Sequence, residues 1–137
     1  MHHSVQYRPI SLELDSSDPY MECMGVAVKC GTAEVEVLNV YIPPLNSCAP
    51  RYLPDISHLL EGNNRLVLGD FNAHHEFWHS ILGKDQRGTE LAEQIDGFTC
   101  CTEIIIVSPG LINDVNWQPF ISLGSDHLPI IVFISKP

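Results

Sequence analysis

Two short segments of the sequence hold the residue types that chemistry needs. The first is Val67-Leu68-Gly69-Asp70-Phe71-Asn72, an apolar run and a glycine followed by a carboxylate and a carboxamide two positions apart. On an extended chain, residues i and i+2 point the same way. Asp70 and Asn72 can therefore converge on one point. A carboxylate there can hold a hard cation or orient a water, and an amide can donate to a phosphate oxygen. The same pattern also describes a turn in which Asp and Asn cap backbone groups. The second segment is Gly124-Ser125-Asp126-His127, just before Leu128-Pro129. It offers a metal ligand beside a general base or phosphate donor, or else a surface turn with an incidental histidine. Both turn readings must hold together for a site to vanish.

His74, His75 and His79 form a further cluster. Their spacing permits a metal site if the stretch is helical, but a solvated or DNA-facing loop is the expectation. Trp78 reads first as a packing anchor and second as a platform for a base.

The elements that must position these residues follow from patterning. Met21–Lys29 is apolar and Gly31 breaks it. Glu34–Ile42 alternates and then turns mostly apolar, as a strand entering a buried sheet does. The two form an expected antiparallel hairpin around Gly31-Thr32, and Pro43-Pro44 ends it. Tyr41 stands at its end, a half-buried packing residue or a hydroxyl near the same cleft. Arg51–Glu61 reads as a helix, with Ile56, Leu59 and Leu60 at helical spacing and Gly62 past its end. Arg65–Leu68 is a short strand running into Gly69-Asp70. Thr89–Ile95 is a second helix, and Glu103–Val107 and Pro129–Ile134 are strands. Alternating strands and helices with one antiparallel pair predict an α/β sheet of mixed direction with helices outside.

The chain has 137 residues, enough for one domain and not two. Its net charge of -10 argues against a free-standing nucleic-acid binder, which is usually basic. A divalent cation that offsets carboxylates softens the objection. Five cysteines without a Cys-x-x-Cys pair suggest reduced thiols in an intracellular protein. No signal peptide is expected at the start of the sequence. No apolar run approaches the roughly 20 residues that span a bilayer, so a soluble protein without a membrane partner is expected.

Four motifs together resemble the endonuclease/exonuclease/phosphatase family. They are Asn39-Val40-Tyr41-Ile42-Pro43-Pro44, Gly69-Asp70-Phe71-Asn72-Ala73-His74-His75 with Trp78 and Ser80, Asp85-Gln86-Arg87-Gly88, and Gly124-Ser125-Asp126-His127-Leu128-Pro129-Ile130. Ala73-His74-His75 leading to Trp78 looks most like the endonuclease domain of non-LTR retrotransposon (reverse transcriptase) polyproteins. The resemblance implies a deoxyribonuclease-like four-layer fold: a sandwich of two β-sheets flanked by helices. It implies a Mg²⁺ ion, or Mn²⁺ in its place, and a DNA substrate cleaved by phosphodiester hydrolysis. Residue by residue, Asp70 would orient and activate the attacking water, and Asn72 would hold the phosphate or the metal shell. Asp126 would join the metal site, His127 would bond the phosphate, and Tyr41 would contact it. Asp70, Asn72, Asp126 and His127 are thus the metal candidates, and Tyr41, Asp70, Asn72 and His127 the catalytic ones. A nuclear location would follow from action on DNA; nothing in the sequence sets the oligomeric state.

The sequence departs from the family in two places. The family carries an Asn and a metal-binding Glu in its first strands, and the motifs here begin near Met21, downstream of both. Glu103 stands where the family has an Asp that orients the motif histidine, and the Asp96–Cys101 connection is short. A single domain lacking its N-terminal strands, with impaired activity, is therefore the expectation. A catalytically inactive remnant or binding module is the alternative, and a phosphoesterase on a non-nucleic-acid substrate a further one.

Overall fold

The structure is a computed structural model. It describes residues 5–10, 18–62, 64–76, 83–96, 99–101, 105–108, 113–119 and 130–134. The alternation noted above becomes a hairpin of two nine-residue strands. Strand β2 (Glu22–Cys30) pairs antiparallel with β3 (Ala33–Tyr41), from Glu22 opposite Tyr41 to Cys30 opposite Ala33. Gly31, at φ 61°, makes the turn. The short strand β1 (Tyr7–Pro9) adds to the outer edge of β2. On the other side β3 pairs with β4 (Arg65–Asp70), and this pairing is parallel. Strands β5 (Thr99–Cys101) and β6 (Ile105–Val107) complete a six-stranded sheet in the order β1-β2-β3-β4-β6-β5. Strands β7 (Val115–Pro119) and β8 (Ile130–Ile134) form a separate antiparallel pair.

The two faces of the large sheet bury different partners. One face presents Leu38, Val40, Val67 and Ile106 to Phe71, Ile56, Leu59, Leu91, Ala92 and Ile95. Helix α1 (Gln86–Gln94) supplies Leu91 and Ala92 to that layer. Each Leu, Ile, Val or Phe side chain fully buried there contributes roughly 1.5–3 kcal/mol of transfer free energy. The other face presents Val35, Leu66, Ile105 and Val107, with Val115 and Ile134 of the small sheet packed on them. The expected two-sheet sandwich flanked by a helix is what the chain forms.

Several local expectations change. Arg51–Glu61 is not a helix; only Ser57–Leu60 makes a short 3-10 turn. Asp55 accepts bonds from the Ser57 N–H and hydroxyl, a local alternative to the helical ladder. Arg51 is left-handed at φ 71°, and the Gln94 side chain takes up the Ile56 N–H and the Pro54 carbonyl. The second helix begins at Gln86 rather than Thr89. The stretch read as a short connection holds β5, which pairs with β6. Glu103 lies outside the described residues.

Candidate active site at the ends of two parallel strands

Parallel strands β3 and β4 end side by side. Tyr41 is the register partner of Asp70, so their backbones lie about 4.8 Å apart and their side chains share a face. Along that face β3 reads Val35, Val37, Asn39, Tyr41 and β4 reads Leu66, Leu68, Asp70. The apolar files covered by the small sheet run out into polar groups at the strand ends. The carboxyl ends of parallel strands are a usual place for ligand sites in open α/β sheets.

Gly69 makes this ending possible. Its φ is 149°, and a Cβ there would stand 1.8 Å from the Val40 carbonyl oxygen. Only glycine lets β4 approach β3 so closely. Beyond it the Ile42 N–H donates to the Asp70 carbonyl at 2.9 Å. The Asp70 carboxylate accepts from the Asn72 N–H at 3.0 Å through one oxygen, Oδ1. Asn72 is left-handed at φ 47°, a conformation that Asn tolerates better than most residues. Its amide Nδ2 donates to the Ile42 carbonyl at 2.8 Å. The turn reading of this segment is what these bonds show: β4 ends at Asp70, Asn72 leaves the extended chain, and its N–H caps the Asp70 carboxylate. Asn72 uses one amide N–H to bridge back to the end of β3.

The Asp85-Gln86-Arg87-Gly88 motif lies beneath these groups. Asp85 caps α1, accepting from the Gly88 N–H at 2.6 Å, and also accepts from the His74 N–H at 3.2 Å. A Cβ at Gly88 would meet the His74 carbonyl at 1.9 Å, so the helix start presses directly on the loop after Asn72. Arg87 is fully buried. Its Nη1 donates to the carbonyls of Pro43 at 2.7 Å, Phe71 at 3.1 Å and Asn72 at 3.2 Å. Its Nη2 reaches Cys48 Sγ at 3.7 Å, and the guanidinium carbon sits 5.8 Å from the Tyr52 ring centroid. Burying a cation costs several kcal/mol, and each bond from a charged donor returns roughly 1.5–3 kcal/mol. Sequence reasoning gave Arg87 no role. It is the second residue of α1, inside the Asp85-Gln86-Arg87-Gly88 motif, and nothing in that stretch of sequence marks it as buried.

Behind Arg87, Tyr52 donates its hydroxyl to Asp18 at 2.6 Å and stacks edge-on against Tyr20. Burial first, and then the bond to Asp18, push the Tyr52 phenol well above its ordinary value. Burial likewise raises the Cys23 thiol. Cys23, Cys30 and Cys48 are free thiols.

The histidine cluster divides. His75 is buried, not solvated, and lines a groove with Thr89, Ala92, Glu93 and Asp96. His75-Glu76-Phe77-Trp78-His79 has the H-E-x-x-H spacing of zinc proteases, a match that sequence reasoning passed over, but that chemistry needs a helix. Phe71–His75 is not helical, and Trp78, His79 and Ser80 lie outside the described residues. So do Ser125, Asp126 and His127, just ahead of Ile130 at the start of β8. Of the expected site, the structure thus brings Tyr41, Asp70 and Asn72 together. Among the described residues no three His, Cys, Asp or Glu side chains form a metal cluster. Asp70 nevertheless offers a hard cation one carboxylate, with Oδ1 already steadied.

Comparison with known proteins adds to this geometry. The sequence model of the endonuclease-reverse transcriptase family matches residues 35–103, a span that contains Tyr41, Asp70, Asn72 and Arg87. The fold is similar to the endonuclease domain of TRAS1, a telomere-specific non-LTR retrotransposon. The TM-score is 0.70 at 16% identity, over 97% of this chain and 68% of that one. No curated protein sequence matches.

Proposed function

The chain belongs to the endonuclease-reverse transcriptase family, and from that premise we propose that it hydrolyses phosphodiester bonds of DNA with a divalent cation. The observation that supports this reading is the side-by-side ending of β3 and β4 at Tyr41 and Asp70, with Asn72 bonded to Asp70 and to Ile42. In this reading Asp70 orients and deprotonates the attacking water. Asn72, held against Ile42, presents its remaining amide atoms to the phosphate or to the metal's shell. The exposed Tyr41 hydroxyl contacts the phosphate from the neighbouring strand. Asp126 would add a metal ligand and His127 a hydrogen bond to the phosphate. Asp70, Asn72, Asp126 and His127 are the residues proposed to hold Mg²⁺, with Mn²⁺ as a substitute. The ion would supply Lewis-acid polarisation of the phosphoryl oxygen. A DNA substrate also implies a nuclear site of action.

A substrate panel tests the substrate class. Supercoiled plasmid, RNA, bis(p-nitrophenyl) phosphate and a phospholipid are each incubated with the protein and Mg²⁺. Nicked plasmid with little turnover of the phospholipid is expected. Preferential turnover of the phospholipid or the small ester would move the reading to a general phosphoesterase. DNA binding without any cleavage would move it to a binding module.

A further inference from the structure

We propose that Arg87 is a positioning residue for this site, setting the distance between the loop after Tyr41 and the turn that carries Asp70 and Asn72. The proposal rests on the functional reading above and names the group that makes its geometry possible. Arg87 reaches both segments with one nitrogen: Nη1 binds Pro43 on one side and Phe71 and Asn72 on the other. Pro43 lies two residues past Tyr41, and Phe71 and Asn72 directly follow Asp70. Asn72 Nδ2 joins them once, through Ile42, but it is itself a group to be positioned.

The kind of partner matters. The described ion pairs join Arg8 to Glu34 and Arg65 to Glu36. Arg87 is in neither. Its donors turn on backbone carbonyls, so what it fixes is the course of two loops. The Nε is buried without an acceptor among the described residues. The arginine is thus placed for its terminal nitrogens, at the cost of its inner one. A planar fork on a capped helix, clamped by Asp85 to His74 from the same turn, has little freedom to drift. Loops that carry a site and are tied at one buried point should lose register when that point is removed. A misplacement of about 1 Å can cost about 10²-fold in rate.

The test compares the full wild-type chain with Arg87→Lys and Arg87→Met by amide exchange and kinetics. The Ile42 and Asn72 amides both end on Asp70 and report the local geometry. In Arg87→Met they should exchange at least about tenfold faster, while the Val26 and Val37 amides of the hairpin keep wild-type rates. On supercoiled plasmid, kcat should fall about 10²-fold with KM little changed. Lys, whose ammonium can serve the three carbonyls of Nη1, should restore most of both. If the Met variant does not fold, Arg87→Gln replaces it under the same criteria. Unchanged Ile42 and Asn72 exchange would overturn the proposal. So would equal acceleration in the hairpin, which would mark a general stabilising role. The exchange measurement needs no turnover. An absence of nicking would therefore count against the proposed function alone.

Discussion

Asp70 has one carboxylate oxygen held by the Asn72 N–H, and Asn72 has one amide N–H held by the Ile42 carbonyl. Each is thereby oriented before any ligand arrives, as a preorganised site requires. The left-handed backbone at Asn72 separates two effects of mutation. Asn72→Gly keeps the φ of 47° at little strain, whereas Asn72→Ala adds roughly 1–2 kcal/mol of left-handed cost. Thermal unfolding should therefore place the Gly variant above the Ala variant, with both losing nicking activity. Equal stability would contradict the view that Asn is chosen here partly for its backbone. The strand end and turn at Gly69, Asp70 and Asn72 were legible in the sequence because an apolar run followed by a glycine is a local property. Arg87 was not. A lone arginine on a helix reads as a solvated charge, and the three carbonyls that hold it come from two loops about 15 and 44 positions away.

At the scale of elements, the site depends on how closely β4 meets β3 and how firmly α1 starts. Gly69→Ala places a methyl where the Val40 carbonyl already sits. It should cost at least about 2 kcal/mol in denaturant unfolding, since overpacking and backbone strain add. Asp85→Ala removes the cap of α1 and the bond to His74, a loss of about 1–2 kcal/mol. The Tyr52 phenol gives a pH dependence with a definite sign. Its value is raised in the folded state, so above pH 10, its ordinary value, the unfolded chain releases the proton first and stability falls. Urea titrations from pH 8 upward should show this fall in the wild type and a shallower one in Tyr52→Phe. The β2–β3 hairpin was readable because its alternation and breaker lie within one stretch of sequence. The helix expected at Arg51–Glu61 failed because apolar spacing ignores what Asp55 and Gln94 do to the backbone. Gly88 hid the start of α1, since glycine lowers helix propensity and its packing reason lies on His74.

At the scale of the whole molecule, a net charge of -10 must be reconciled with the polyanionic substrate proposed above. The chain has only 7 Lys and Arg, and the pairs Arg8–Glu34 and Arg65–Glu36 already occupy two of them. DNA binding should accordingly depend on divalent cation more than on basic side chains. Binding isotherms without Mg²⁺ should be weak, with a shallow dependence on monovalent salt. No described helix is long and apolar enough to cross a membrane. The sandwich was legible in outline, because alternating elements and the family motifs both led to it. The assignment of β7 and β8 to a separate sheet was not, since register is settled only by tertiary pairing. The central claim is that Asp70 belongs to a metal-assisted phosphodiester site, and one measurement tests it most directly. Conversion of supercoiled to nicked plasmid is followed with Mg²⁺ for the wild type and for Asp70→Ala, with a chelator control. The wild type should nick only with the metal present, and the variant should be slower by about 10²–10⁴-fold. Equal nicking by the two proteins, or nicking that survives the chelator, would contradict the account.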